Sequence, residues 1–308
     1  MSNNKNYVNE WRWSAWIHAA RLRTLPLAIC GLVVGNMLAL HYGRFDALIL
    51  GLSVSTALLL QILSNFANDY GDFIKGTDNV HRTGPVRTLQ SGAINARQMR
   101  RALAIFSLLS FMSGLALLWV SLPGLNWKDG LFFLLLGLAS IAAAIFYTIG
   151  KNAYGYRGLG DVFVFVFFGW VAVTGSFYLQ FKSMEPLVLL PATAIGLFAA
   201  GVLNMNNLRD IENDKAYGKI TLPVRMGMKG AIAYHYFLII GGSVAAIFFQ
   251  YYVFGAYQTL LLSPLLVVIP HLIRISIRPI PRMFDQQLKM VVLITLMYTI
   301  GLSLSVIL

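Results

Sequence analysis

Two stretches of this 308-residue sequence concentrate its acids. The first reads Asn65-Phe66-Ala67-Asn68-Asp69-Tyr70-Gly71-Asp72 and continues through Lys75 and Gly76 to Asp78. The second reads Asn204-Met205-Asn206-Asn207-Leu208-Arg209-Asp210-Ile211-Glu212-Asn213-Asp214. On a continuous helix Asp69 and Asp72, three apart, share a face, and so do Asp210 and Asp214, four apart. Like charges so placed destabilise a helix by roughly 0.3 kcal/mol, and a cation between them reverses that sign. The donors are all oxygen, without paired His or Cys, which suits Mg²⁺ rather than zinc. Mg²⁺ takes one or two carboxylates, keeps waters, and completes its shell with substrate phosphates. Two such clusters facing each other would grip a diphosphate through metal, with Asn65, Asn68, Asn204 and Asn207 as neutral partners. The competing reading is of ordinary solvated acids at helix ends. It suits a single Asp better than two Asn-flanked pairs.

Basic residues follow each cluster: Arg82 and Arg87 after the first, Lys219 and Arg225 after the second. They are candidates to clamp diphosphate oxygens. The alternative is anchoring at lipid headgroups, which is the better reading for Arg97, Arg100, Arg101, Arg274, Arg278 and Arg282. A third polar stretch, Tyr147 to Asp161, holds Tyr147, Tyr154 and Asp161 among four glycines. Its rings are suited to stabilising a carbocation, although Tyr is also routine at a membrane interface. Arg23, in Arg21-Leu22-Arg23-Thr24-Leu25-Pro26, is either an anchor or a binder of an acidic aromatic.

These residues sit in a chain that is 57% hydrophobic and 12% charged, with a mean hydropathy of +0.68. Soluble domains carry about 25% charged residues, so the lipid bilayer is the expected surrounding. Nine apolar runs are long enough to cross it, near 25–43, 47–67, 102–122, 130–149, 159–180, 186–206, 231–253, 257–276 and 289–308. With the N-terminus in the cytoplasm, 21 of the 24 Lys and Arg fall on the inner side, leaving Arg44, Lys128 and Lys182 outside. That is the bias expected of membrane topology. It accounts for the net charge of +12 without a nucleic-acid partner. Both acid clusters then face the cytoplasm, after spans two and six. The single Cys30 excludes an internal disulfide and a Cys-based metal cluster. The polar start followed by Trp11, Trp13 and Trp16 reads as an interfacial belt rather than a cleaved signal. The expected fold is all-α, one polytopic membrane domain over 1–308.

At Arg23-Thr24-Leu25-Pro26, NDYGDFIKGTD (68–78), YGYRGLGD (154–161) and NNLRDIENDKAYGKITLPVRMG (206–227) the chain resembles the UbiA superfamily of intramembrane prenyltransferases. Within it the last two stretches resemble the 1,4-dihydroxy-2-naphthoate polyprenyltransferase type. The resemblance extends over nearly the whole chain. It implies nine helices around a central cavity, Mg²⁺ on Asp69, Asp72, Asp210 and Asp214, and Asp78 as a further acid. The usual third Asp falls four residues after the second; here position 76 is Gly and the Asp is at 78. It further implies polyprenyl diphosphate and 1,4-dihydroxy-2-naphthoate as substrates, with loss of CO₂, and demethylmenaquinol as product. Other readings are a different aromatic acceptor such as 4-hydroxybenzoate, a CDP-alcohol phosphotransferase, whose contiguous Asp motif is absent, and a cation-coupled transporter. A transporter would place its acids near the bilayer midplane, not at helix ends beside long loops.

Overall fold

A computed structural model describes residues 13–79, 84–277 and 279–308, and these are helical with no strand among them. Helix α1 (13–20) and a 3-10 turn at Leu22–Thr24 lead into α2, Leu25–His41. Then come α3 (Ala47–Ile74), α4 (Ala96–Ser121) and α5 (Trp127–Phe146). Helix α6 spans Gly160–Phe181, α7 is Leu189–Arg209, and α8 is the short Ile211–Ala216. The remainder is α9 (Leu222–Thr259), α10 (Val268–Ile277) and α11 (Pro281–Ile307).

Local chemistry explains where several helices begin. The Asp46 carboxylate accepts from the amides of Leu48 (2.7 Å) and Ile49 (3.3 Å) at the start of α3. Asn95 and Gln98 form a reciprocal capping box for α4. Asn126 caps α5, and Pro26, Pro223 and Pro281 occupy first turns.

Eight helical segments among the described residues are long and apolar enough to cross a membrane. One of them, Leu222–Ile277, is 56 residues long. At 1.5 Å per residue it would stretch about 84 Å if straight, against a hydrocarbon layer of about 30 Å. It folds back instead, at Gly255 with φ 83°. The ring nitrogens of His235 and His271 meet at 2.8 Å, and Tyr236 Oη donates to Leu272 O at 2.8 Å. The expected spans 231–253 and 257–276 are the two arms of this hairpin. Helices α4 and α11 start earlier than their apolar runs, at Ala96 and Pro281, so they project beyond them on the side of the acid clusters.

Packing is uneven. The larger core joins α2, α6, α7, α9 and α11 around Phe177, Phe198, Phe249 and Tyr298. A smaller one joins α1, α3 and α4 around Leu63, Phe66 and Met99. Glycines let α2, α6 and α7 approach closely. A Cβ on Gly35 would lie 2.3 Å from Val173 O, and one on Gly169 would lie 2.6 Å from Gly196 Cα. Phe165–Val171, beside that contact, is wound as a π-helix. Helix α5 has no buried residue at all. Its outer side is left for lipid, and its inner side faces a cavity.

Candidate active site

The cavity measures about 410 Å³ and runs between α2, α3, α4, α5, α6 and α7. One pole is polar: Arg21, Asn68, Asp72, Arg87, Asp210, Asp214 and Lys219 line it. From there the wall turns apolar, through Tyr147, Tyr154, Phe163 and Phe167 to Leu118, Phe133 and Leu134.

Helix α3 continues unbroken through Asp72, as the three-residue spacing requires. Asp69 and Asp72 are nearly inaccessible, and each meets cations brought from elsewhere. Arg21 pairs with Asp69, reaching it from a left-handed backbone conformation (φ 51°), and Arg87 approaches the same carboxylate at 3.4 Å. Arg87 also stands 3.8 Å from Asp78. Lys219 Nζ lies 3.4 Å from Asp72 Oδ2, and Tyr156 Oη donates to Asp72 Oδ1 at 2.7 Å. Because the Tyr156 proton is committed to Asp72, Thr77 Oγ1 is the donor in its 2.6 Å bond with Tyr156. Lys75 stacks its ammonium 3.8 Å over the Tyr156 ring.

The second cluster is built differently. Helix α7 stops at Arg209, and Asp210 takes a non-helical conformation before α8 begins. The expected continuous helix is therefore broken. One bond, Asp214 N to Asp210 O at 2.8 Å, still holds the two acids a turn apart.

Burial by itself lowers the Lys219 pKa, but the carboxylates of Asp72 and then Asp214 outweigh it and raise it above its ordinary value. The ammonium stays charged through neutral and mildly alkaline pH. Tyr156 is pushed upward, first by burial and then by the Asp72 carboxylate, which keeps its phenol protonated.

Three loops interlock over the polar pole. Asn79 Nδ2 donates to Asn213 Oδ1 at 3.0 Å, Asn213 Nδ2 to Thr77 O at 3.0 Å, and Ile220 N to Tyr156 O at 3.1 Å. Gly71 packs where a Cβ would lie 2.6 Å from Thr148, whose hydroxyl donates to Ala67 O.

Of the residues expected from sequence, Arg23, Asn65, Asn68, Asp72, Arg87, Tyr147, Tyr154, Asn207, Asp210, Asp214 and Lys219 reach the cavity wall. Asn65 is partly engaged there, donating to Ala20 O at 2.8 Å and Thr24 Oγ1 at 3.2 Å. Asp69 and Asp78 stand one layer behind, linked through Arg87. Asn204 is also set back, donating to Ala231 O at 3.0 Å. Asp161 is buried at the start of α6, away from the wall. Arg225 donates to Arg157 O at 2.7 Å and packs on Gly158, so it braces the loop rather than facing the cavity. Arg82 lies outside the described residues. Sequence reading passed over Arg21, Tyr156 and Thr77. The only signal available was their position inside the stretches already singled out.

The donor set fits Mg²⁺. Asp72, Asp210 and Asp214 reach one cavity, and Asn68 Oδ1 is buried with no hydrogen-bond partner among the described residues. No three His, Cys, Asp or Glu among the described residues come together as a closed metal cage. Any metal held here would need phosphate oxygens and water to complete its shell.

A polar, cation-balanced pole opening into an apolar chamber inside a membrane bundle suits a ligand with an anionic head and an apolar tail. Residues 27–305 match the UbiA prenyltransferase family, and the chain belongs to it. It is similar to the 1,4-dihydroxy-2-naphthoate octaprenyltransferase of Escherichia coli K12, at 46% identity over 302 residues and 96% of each chain. It is also similar to the enzyme of that name from Haemophilus influenzae, at 44% over 246 residues, covering 79% of this chain and 78% of the relative. Its fold is like that of a UbiA homologue from Aeropyrum pernix K1 (TM-score 0.66, 21% identity, 92% of this chain and 96% of the other). A UbiA homologue from Archaeoglobus fulgidus, bound to DMAPP and Mg²⁺, aligns with TM-score 0.59 at 18% identity over 94% and 98% of the two chains.

Proposed function

We propose that this enzyme transfers a polyprenyl group from polyprenyl diphosphate to 1,4-dihydroxy-2-naphthoate, releasing CO₂ and diphosphate and giving demethylmenaquinol. We place it in a bacterial cytoplasmic (inner) membrane, N-terminus inside, with Mg²⁺ as cofactor. The observation that carries the reading is the cavity itself: both acid clusters at one pole and a continuous apolar chamber beyond. The acceptor rests on the activity for which the two bacterial relatives are named.

Asp72, Asp210 and Asp214, with Asn68 beside them, would hold the metal, and Asp69 supports them from behind. When bound, Mg²⁺ supplies charge neutralisation to the departing diphosphate. Lys219, Arg87 and Arg21 offer N–H donors to the same oxygens, in a place where water is scarce and each contact is strong. The allylic C–O bond breaks with its electron pair leaving on diphosphate. Tyr147, Tyr154 and Phe163 present ring faces and edges to the positive carbon and exclude water that would quench it. The ring carbon bearing the carboxylate forms the new C–C bond, the C–CO₂ bond breaks, and its electron pair restores aromaticity. Arg23 and Asn65, both on the cavity wall, would receive the acceptor's carboxylate or a ring hydroxyl.

The test offers 1,4-dihydroxy-2-naphthoate and 4-hydroxybenzoate separately, with one polyprenyl diphosphate, and reads products by mass spectrometry. A prenylated naphthalene lacking the carboxyl group is expected. Product formed only from 4-hydroxybenzoate, or none from either, overturns the assignment.

A further inference from the structure

The second acid cluster carries a partner of its own. Arg209 closes α7, is 3% exposed, and uses four N–H donors on three neighbours. Its Nε and Nη2 donate to the two oxygens of Asp210 at 3.1 and 2.7 Å, a side-on fork. Nη2 also donates to Asn206 Oδ1 at 2.8 Å. The opposite edge, Nη1, donates to Asp285 Oδ1 at 2.8 Å, on the first turns of α11. The Asp285 side chain is 32% exposed, whereas that of Asp210 is 5% exposed and on the cavity wall. Leu288, on the same face of α11 three residues on, lines that cavity too.

We infer that Arg209 and Asp285 are a positioning pair for Asp210. The fork fixes the plane of the Asp210 carboxylate, which lies on the cavity wall. Asp285, as a second anion on the same guanidinium, draws off part of the positive charge that Asp210 would otherwise feel. Asp210 thereby keeps enough negative charge to hold a cation, and Asp285 becomes part of the site without lining the cavity. This inference rests on the metal–diphosphate reading of the cavity.

The test uses the full-length protein in lipid nanodiscs, titrated with Mn²⁺ in the presence of inorganic pyrophosphate and followed by the EPR signal of free Mn²⁺. Asp285→Asn removes the competing anion at a half-exposed position. Its half-saturating Mn²⁺ is expected to rise roughly tenfold, the usual order for a residue supporting a metal ligand, and Asp285→Glu to restore it. Activity lost at low Mg²⁺ should return as Mg²⁺ is raised. An unchanged Mn²⁺ affinity in Asp285→Asn overturns the pairing, whether or not its melting temperature falls. A wild-type protein that takes up no Mn²⁺ with pyrophosphate overturns the metal reading of the cavity instead.

Discussion

The two acid clusters look alike in sequence and are held in opposite ways. In the first, an unbroken helix carries Asp69 and Asp72, and their cations come from afar: Arg21 before the first long helix, Arg87 from a loop, and Lys219 from the other half of the chain. In the second, the helix breaks at Asp210, and Arg209, its neighbour in sequence, pairs with it. The first cluster therefore ties the halves together, while in the second Asp210 is gripped by its own neighbour, which also reaches one acid on α11. Acids of equal spacing should respond differently to remote substitutions.

The largest effect tests what the clusters have in common. Excess EDTA should abolish prenyl transfer, with Mg²⁺ restoring it, as read from product mass spectra. Full turnover under chelation would remove the shared metal. Next, Asp72→Asn and Asp210→Asn should each lower kcat by about 100-fold or more while the protein still inserts in membranes. The double variant should cost much less than the product of the two, as for groups acting as a unit. Lys219→Met sharpens the contrast. Removing one member of a buried pair costs about 3 kcal/mol of stability, and melting should show it. Asp72→Asn in the same chain should recover much of that stability but no activity, a coupling across 147 residues. Because the Lys219 pKa is raised, its contribution is complete at neutral pH and is lost only as pH climbs through the folded value. Activity should not decline between pH 7 and 9 through this group. Tyr156→Phe removes one hydrogen bond to Asp72, worth about 1 kcal/mol, and should reduce kcat/KM about fivefold. The smallest effect is expected at Arg225→Lys. Its guanidinium serves a backbone carbonyl, so melting should fall slightly and donor KM should shift by less than about twofold.

Much of this was legible in the sequence, because a bilayer imposes a length and a polarity on every crossing. The apolar runs and the sign of the loops were enough to place both clusters on one side. The hairpin at Gly255 was legible as two runs separated by a short gap. The broken helix at Asp210 was not, since the spacing of Asp210 and Asp214 is the same with or without the break. Arg21 was overlooked beside Arg23 because only the left-handed turn of its backbone aims it at Asp69. Tyr156 and Asp285 acquire meaning from partners 84 and 76 residues away, and no local pattern reports such distances. Arg225 drew notice for its glycine-framed setting, yet that setting shapes a loop.

Helix α5 buries none of its residues fully, and α3 and α4 hold it along one flank. It behaves as a partition one helix thick, with acyl chains on one side and the chamber on the other. On the flank without a neighbouring core, surrounding lipid is expected to support such a partition. Solubilisation in small detergent micelles should therefore slacken this wall first, and activity should fade before the helical content of the rest of the bundle declines.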